Sequence, residues 1–113
     1  MKTSQIKEEI FTLCKDVSYF ESFNVIEETS NTIKIRLTVS NNCFVQIYIN
    51  TKKRLKNYVL VFNGQRIYGC DNDGKKWHIH PWKNPSKHKN SKEINLKEFL
   101  FEVYNGLVER GIV

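Results

Sequence analysis

Thr32-Ile33-Lys34-Ile35-Arg36-Leu37-Thr38-Val39-Ser40 alternates apolar and polar residues without a break. A period of two belongs to a β-strand with one buried face, so Ile33, Ile35, Leu37 and Val39 are expected to meet a core while Lys34, Arg36 and Thr38 point away. Ser40-Asn41-Asn42 supplies turn residues, and Cys43 to Asn50 returns with Val45, Ile47 and Ile49 on one side and Phe44, Gln46 and Tyr48 on the other. An antiparallel sheet with one covered and one open face follows.

Working outward, a shorter strand is predicted at Asn24 to Glu28. On the other side a basic loop (Lys52, Lys53, Arg54, Lys56) leads into a strand at Asn57 to Phe62. Asn63-Gly64 is the strongest turn signal in the chain, because both residues accept the positive φ of a type I′ turn. That turn is expected to pair Val61 with Arg66 and Leu60 with Ile67. The second arm runs to Cys70, Asp71-Asn72-Asp73-Gly74 turns the chain, and Lys76 to His80 reads as a final edge strand stopped by Pro81. Residues 81–94 show no periodicity and read as a long loop, the kind that tends to carry function.

Both ends of the chain have helical spacing. From Ser4 to about Phe20, Ile6, Ile10, Leu13, Cys14 and Val17 form one apolar stripe, with Thr3 or Ser4 as the expected cap. From Asn95 to about Arg110, Leu96, Phe99, Leu100, Val103, Tyr104, Leu107 and Val108 form another; Asn95 and Glu98 make a capping-box pattern and Gly111 a stop. The expected fold is a single two-layer α+β domain spanning residues 1–113, with about five antiparallel strands and both terminal helices on one face.

Charge is distributed unevenly along the 113 residues. Lys and Arg number 18 against 12 acids, yet Thr29 to Lys92 holds 13 of the basic residues and only two acids, Asp71 and Asp73. The sheet and its loops should therefore present a basic surface, with acidic helices behind it. Cys14, Cys43 and Cys70 have no CxxC spacing and are odd in number, which argues against a disulfide framework or zinc ribbon and for small buried hydrophobes. No apolar run approaches ~20 residues and the first residues lack an apolar signal-peptide core, so a cytoplasmic protein without membrane contact is expected.

One segment reads as a site. Gly74 to Lys92, GKKWHIHPWKNPSKHKNSK, holds all three histidines, both tryptophans, both prolines and six lysines, with no acid. Imidazoles beside fixed positive charge and flat aromatic surfaces suit a polyanion on which protons move, and RNA fits that description. In metal-free RNA cleavage one group removes the 2′-hydroxyl proton, another protonates the leaving oxygen, and a cation steadies the phosphorane. His80 and His88 are the candidate acid–base pair, His78 supports or substitutes, and Arg66 or Lys87 would clamp the phosphate. Lys75, Lys76, Lys83 and Lys89 add phosphate-binding charge and Trp82 a stacking surface. Lys34, Arg36, Tyr48 and Tyr68 are further candidates if they line the open face. His-x-His with a third histidine could also build a zinc site, but six lysines around a dication oppose it, and no metal or other cofactor is expected. There is no phosphate-binding glycine loop, HExxH or GxSxG motif.

From about Tyr58 onward the order of features resembles the TumE family of small toxins from prokaryotic type II toxin–antitoxin modules. The matching residues are Tyr68-Gly69-Cys70-Asp71-Asn72, then Trp77-His78-Ile79-His80-Pro81, then Pro85 and Lys87-His88-Lys89, then the helix from Leu96. Two departures stand out: Asp73-Gly74-Lys75-Lys76 precedes the first histidine where the family usually has Ala-Pro-His-His, and a cysteine replaces an aromatic before Asp71. The resemblance implies a toxin with a cognate antitoxin as partner, and with Asp71 and Asn72 supporting His78, His80 and His88. RNA as the target is the reading of the basic, histidine-rich segment itself, and a homodimer is left open. The alternative is a non-catalytic nucleic-acid-binding or regulatory protein with the same basic sheet.

Overall fold

In the computed structural model, which describes residues 1–82, 84 and 86–113, the chain runs α1 (Thr3–Lys15), β1 (Ser22–Glu28), β2 (Thr32–Ser40), β3 (Cys43–Asn50), β4 (Leu55–Phe62), β5 (Gln65–Asp71), a 3₁₀ turn (Asp73–Lys75), β6 (His78–His80), β7 (Lys89–Asn90) and α2 (Leu96–Glu109). The strands form one antiparallel sheet in sequence order. Seven strands stand where about five are expected: β6 is the strand read at Lys76–His80, cut to three residues, and β7, two residues long, is too short to show a period.

The alternation in β2 and β3 is realised residue by residue. Ile33, Ile35, Leu37, Val39, Cys43, Val45, Ile47 and Ile49 are buried, and every residue between them is half-buried. Ile10 of α1 and Phe99, Leu100, Val103 and Leu107 of α2 complete the same core, so both helices cover one face and leave the other without helices. The helices differ from expectation only at the start and end of α1. Lys2, not Thr3 or Ser4, is the N-cap, its backbone N–H donating to Gln5 Oε1 (2.9 Å), while the Thr3 hydroxyl donates to the Thr29 carbonyl (2.7 Å). The helix stops at Lys15, and Tyr19 beyond it donates its hydroxyl to the Leu100 carbonyl of α2 (2.9 Å). At α2, Asn95 and Glu98 cap as expected, and Gly111 at φ 70° closes the helix with Ile112 N–H donating to Leu107 O.

The hairpin at Asn63-Gly64 turns with both residues at positive φ (51° and 76°), as its sequence requires. Its register differs from expectation by one residue. Val61 faces Arg66, but Leu60 faces Tyr68, so Ile67 is an extra residue in a β-bulge. Tyr68 is thereby turned into the core and is no part of an open nucleic-acid surface, and Asp71 is turned to the helix-free face. Tyr68 stacks between Phe99 (5.6 Å, 14° between planes) and Trp82 (4.7 Å, 11°).

Trp82 in turn packs against α2 at Gly106, with the Arg110 guanidinium over its ring (4.1 Å). Cys43 and Cys70 are buried and Cys14 is half-buried, all as free thiols. Among the described residues, no helix is long and apolar enough to cross a membrane.

Two outcomes follow for stability. A Cβ at Gly106 would overlap the Trp82 ring and stand 2.7 Å from Cε2. Gly106→Ala should therefore lower the urea midpoint: overpacking costs about 1–3 kcal/mol, more than the ~1 kcal/mol alanine gains in a helix. Burial also pushes the Cys14 thiol up to about 11 and, helped by the Asp71 charge, the Cys70 thiol up to about 12. The unfolded chain releases these protons from about pH 9, where the native state still holds them, so this stabilisation is intact below pH 9 and is lost as pH rises toward 12. Urea midpoints measured at pH 7 and pH 10.5 should show the alkaline decline.

Candidate functional site

β6 is three residues long, and its neighbours define its place. Asp71 faces His78, Cys70 faces Ile79 and Gly69 faces His80 across β5. Alternation puts Cys70 and Ile79 on the core side and collects Asp71, His78 and His80 on the helix-free face. On the other flank Asn90 faces His78 and Lys89 faces Ile79, so the residue before β7, His88, falls beside His80. The His80 and His88 rings lie 4.4 Å apart and those of His78 and His88 5.5 Å apart, both pairs edge to face (67° and 82°). A segment read from sequence as loop is what delivers the third imidazole.

Asp71 Oδ2 is 2.8 Å from His80 Nε2, and Asp71 Oδ1 accepts from the Asp73 backbone N–H (3.0 Å). Both members of the pair are buried, His80 at 3% exposure and Asp71 at 7%. A carboxylate at Nε2 favours the tautomer with its proton there, which makes Nδ1 the basic nitrogen of a neutral His80 ring. His88 is exposed and touches both other rings. His78 is half-buried; its Nδ1 is buried and makes no hydrogen bond among the described residues. Such unpaired buried polar atoms are uncommon in native folds and call for an explanation, a catalytic role being one. The three rings thus divide: His88 and part of His78 reach solvent, and His80 sits behind them, oriented by Asp71.

The cations expected around the histidines are placed unequally. Arg66 faces Val61 and lies on the helix-free face, where its Cδ would stand 3.6 Å from a Cβ at Gly69, the partner of His80. Lys75 and Lys76 are exposed on the turn that leads into His78, and Lys87 is exposed next to His88 in sequence. Lys89, also exposed, shares the side of Ile79 and so faces away from the cluster. Lys83 and Pro85 lie outside the described residues. Trp82 is on the core side, packed on Tyr68 and Gly106 and apart from the histidine face.

Asn72 has a role that its type did not disclose. Its backbone N–H donates to Lys56 O (3.2 Å) and its carbonyl accepts from Lys75 N–H (3.0 Å). Its Oδ1 accepts from Lys56 N–H (2.7 Å) and its Nδ2 donates to Arg54 O (2.9 Å). Three of these bonds tie the β5–β6 turn to Arg54 of the β3–β4 loop and Lys56 at the start of β4, and the fourth closes the turn itself. Farther along the helix-free face, Arg36 lies over Phe44 (4.1 Å) and donates to Gln46 Oε1 (3.1 Å), with Lys34 near Tyr48 (5.8 Å). Phe44, absent from the sequence candidates, shares that face because it alternates with core Cys43 and Val45.

Among the described residues, no group of three or more His, Cys, Asp or Glu side chains is arranged to hold a metal ion. No protein-family model, curated protein or solved structure matches the chain. What the protein does has to be read from these residues.

Asp71→Ala should leave His80 buried without its carboxylate. Loss of a buried hydrogen bond to a charged group costs about 1.5–3 kcal/mol, and urea unfolding at pH 7 should show a loss of that size.

Proposed function

We propose that the protein binds single-stranded RNA on the helix-free face and cleaves it by metal-independent acid–base chemistry at the histidine cluster. The observation that carries this reading is the contact of exposed His88 with both His78 and the buried, Asp71-held His80, on a face rimmed by cations. One of the two accessible rings, His78 or His88, takes the proton of a 2′-hydroxyl, whose oxygen attacks the adjacent phosphorus. The bond from phosphorus to the 5′-oxygen breaks, the other ring gives that oxygen its proton, and the products are a 2′,3′-cyclic phosphate and a 5′-hydroxyl. Arg66 steadies the charge on the phosphorane. His80 touches no substrate in this scheme: with Asp71 it positions His88.

The resemblance in sequence to TumE-like toxins adds a cellular role, toxin in a toxin–antitoxin module, with the antitoxin covering the histidine face. A second reading is favoured by the depth of His80: a ring so well buried and paired is also what a structural ion pair looks like, and the basic face would then bind RNA without cutting it.

The test is incubation of purified protein with 5′-labelled single-stranded RNA, with and without EDTA. Cleavage insensitive to EDTA should fall about 10²–10⁴-fold in His88→Ala, since a positioned acid or base contributes that much. Full cleavage by His88→Ala would remove the mechanism, and an intact but gel-shifted RNA would select the binding reading.

A further inference from the structure

The basic residues that the histidine cluster does not use gather at one end of the sheet. Lys52, Lys53 and Arg54 come from the β3–β4 loop, Lys56 from the start of β4 on the helix side, and Lys75 and Lys76 from the β5–β6 turn; all six are exposed. Lys56 and Lys75 are 19 residues apart in sequence, and Asn72 links the segments, bonding Arg54 and Lys56 on one side and Lys75 on the other. Arg54 and Lys75 both adopt the left-handed conformation (φ 54° and 70°), which non-glycine residues seldom take. Asn72 donates to the carbonyl of one and accepts from the N–H of the other. Asp73 is the one acid in residues 51–56 and 72–76. Glu9 and Glu93 share the groove of Arg54 and Lys56 on the helix side, whereas Lys52, Lys53, Lys75 and Lys76 are like charges at one end of the sheet whose repulsion a bound anion would relieve.

We infer that this end of the sheet is a phosphate-backbone grip, organised by Asn72, that holds the RNA on one side of the cleavage point. The inference rests on the proposed action on RNA and names the part of the protein that supplies the affinity. Position supports it: Asn72 follows Asp71, the carboxylate bonded to His80, and Lys76 lies two residues before His78. A backbone lying across Lys52, Lys53, Lys75 and Lys76 therefore arrives at the histidines as it leaves the last lysine. Binding at such a grip is insensitive to base identity and strongly dependent on salt, with a slope of about −0.7 in log K against log salt for each phosphate neutralised on a single strand.

The experiment measures binding of a labelled 2′-O-methyl RNA oligonucleotide, which lacks the attacking hydroxyl, by fluorescence anisotropy between 50 and 300 mM NaCl. Three proteins are compared: the unaltered chain, Lys52→Gln/Lys53→Gln/Lys75→Gln/Lys76→Gln, and Asn72→Ala. The fourfold variant should lose roughly 2–3 from the magnitude of the salt slope, at ~0.7 per lost contact. Asn72→Ala should lose at least ~1 although no charge is removed, because the two loops part. The four lysines are exposed, so that variant tests the grip even if Asn72→Ala unfolds. An unchanged slope in the fourfold variant, with binding by the unaltered chain intact, overturns the grip and leaves action on RNA standing. Failure of the unaltered chain to bind the oligonucleotide overturns both.

Discussion

One extra residue in β5, Ile67, governs which side chains share the helix-free face. Side chains alternate strictly along a strand, so a bulge reverses the facing of everything beyond it. With Leu60 opposite Tyr68, the ring of Tyr68 enters the core, Gly69 and Asp71 turn to the other side, and Cys70 returns to the core. Without the bulge Asp71 would face the helices, and β6, which takes its register from β5, would have no carboxylate beside His80. The buried Asp71–His80 hydrogen bond, the stacking of Tyr68 on Phe99 and the burial of Cys70 all depend on that single insertion.

Sequence patterning was a good guide where strands are long and a poor one where they are short. Thr32 to Asn50 declares its two faces in its own alternation, and Asn63-Gly64 declares its turn through the φ angles it permits. The bulge has no such signal: Gln65, Arg66 and Ile67 are ordinary strand residues, and only the depth of Tyr68 in the core decides between the two registers. β7 is two residues long and owes its existence to pairing with β6. For that reason the histidines, and His80 with His88 as a pair, could be selected by composition, while the strand pairing that brings them together and the division into exposed and buried rings could not. Trp82 shows the opposite limit. Its neighbourhood of lysines and prolines suggests a surface platform, but the notch at Gly106 draws it against α2, through a glycine that sequence shows only as a weak helix former.

That notch has a part in holding the site. The segment carrying His88 leaves β6 through Trp82, packed on Tyr68 and beneath Arg110, and comes back where Ser91 N–H donates to Trp77 O (2.9 Å). Aromatic pairs of this kind contribute about 0.5–1.5 kcal/mol beyond the area they bury. The exposed imidazole is thus supported at one end by packing on the core side and at the other by a backbone bond beside β7, and the chemistry on one face of the sheet is partly braced by packing on the other.

Because the strands pair in chain order, nearly all of the sheet is built from neighbours along the sequence. Asp71 and His80 are nine residues apart, whereas the contact that closes the helical layer, Tyr19 to Leu100, spans 81. Loop closure lengthens the search for distant partners, and chains rich in near contacts fold faster than those that depend on far ones. The hairpin that bears the Asp71–His80 hydrogen bond can therefore assemble early, ahead of the contact between Tyr19 and Leu100. In a nascent chain the segments that bear the histidines precede α2, whose Gly106 then receives Trp82 and secures the one that carries His88.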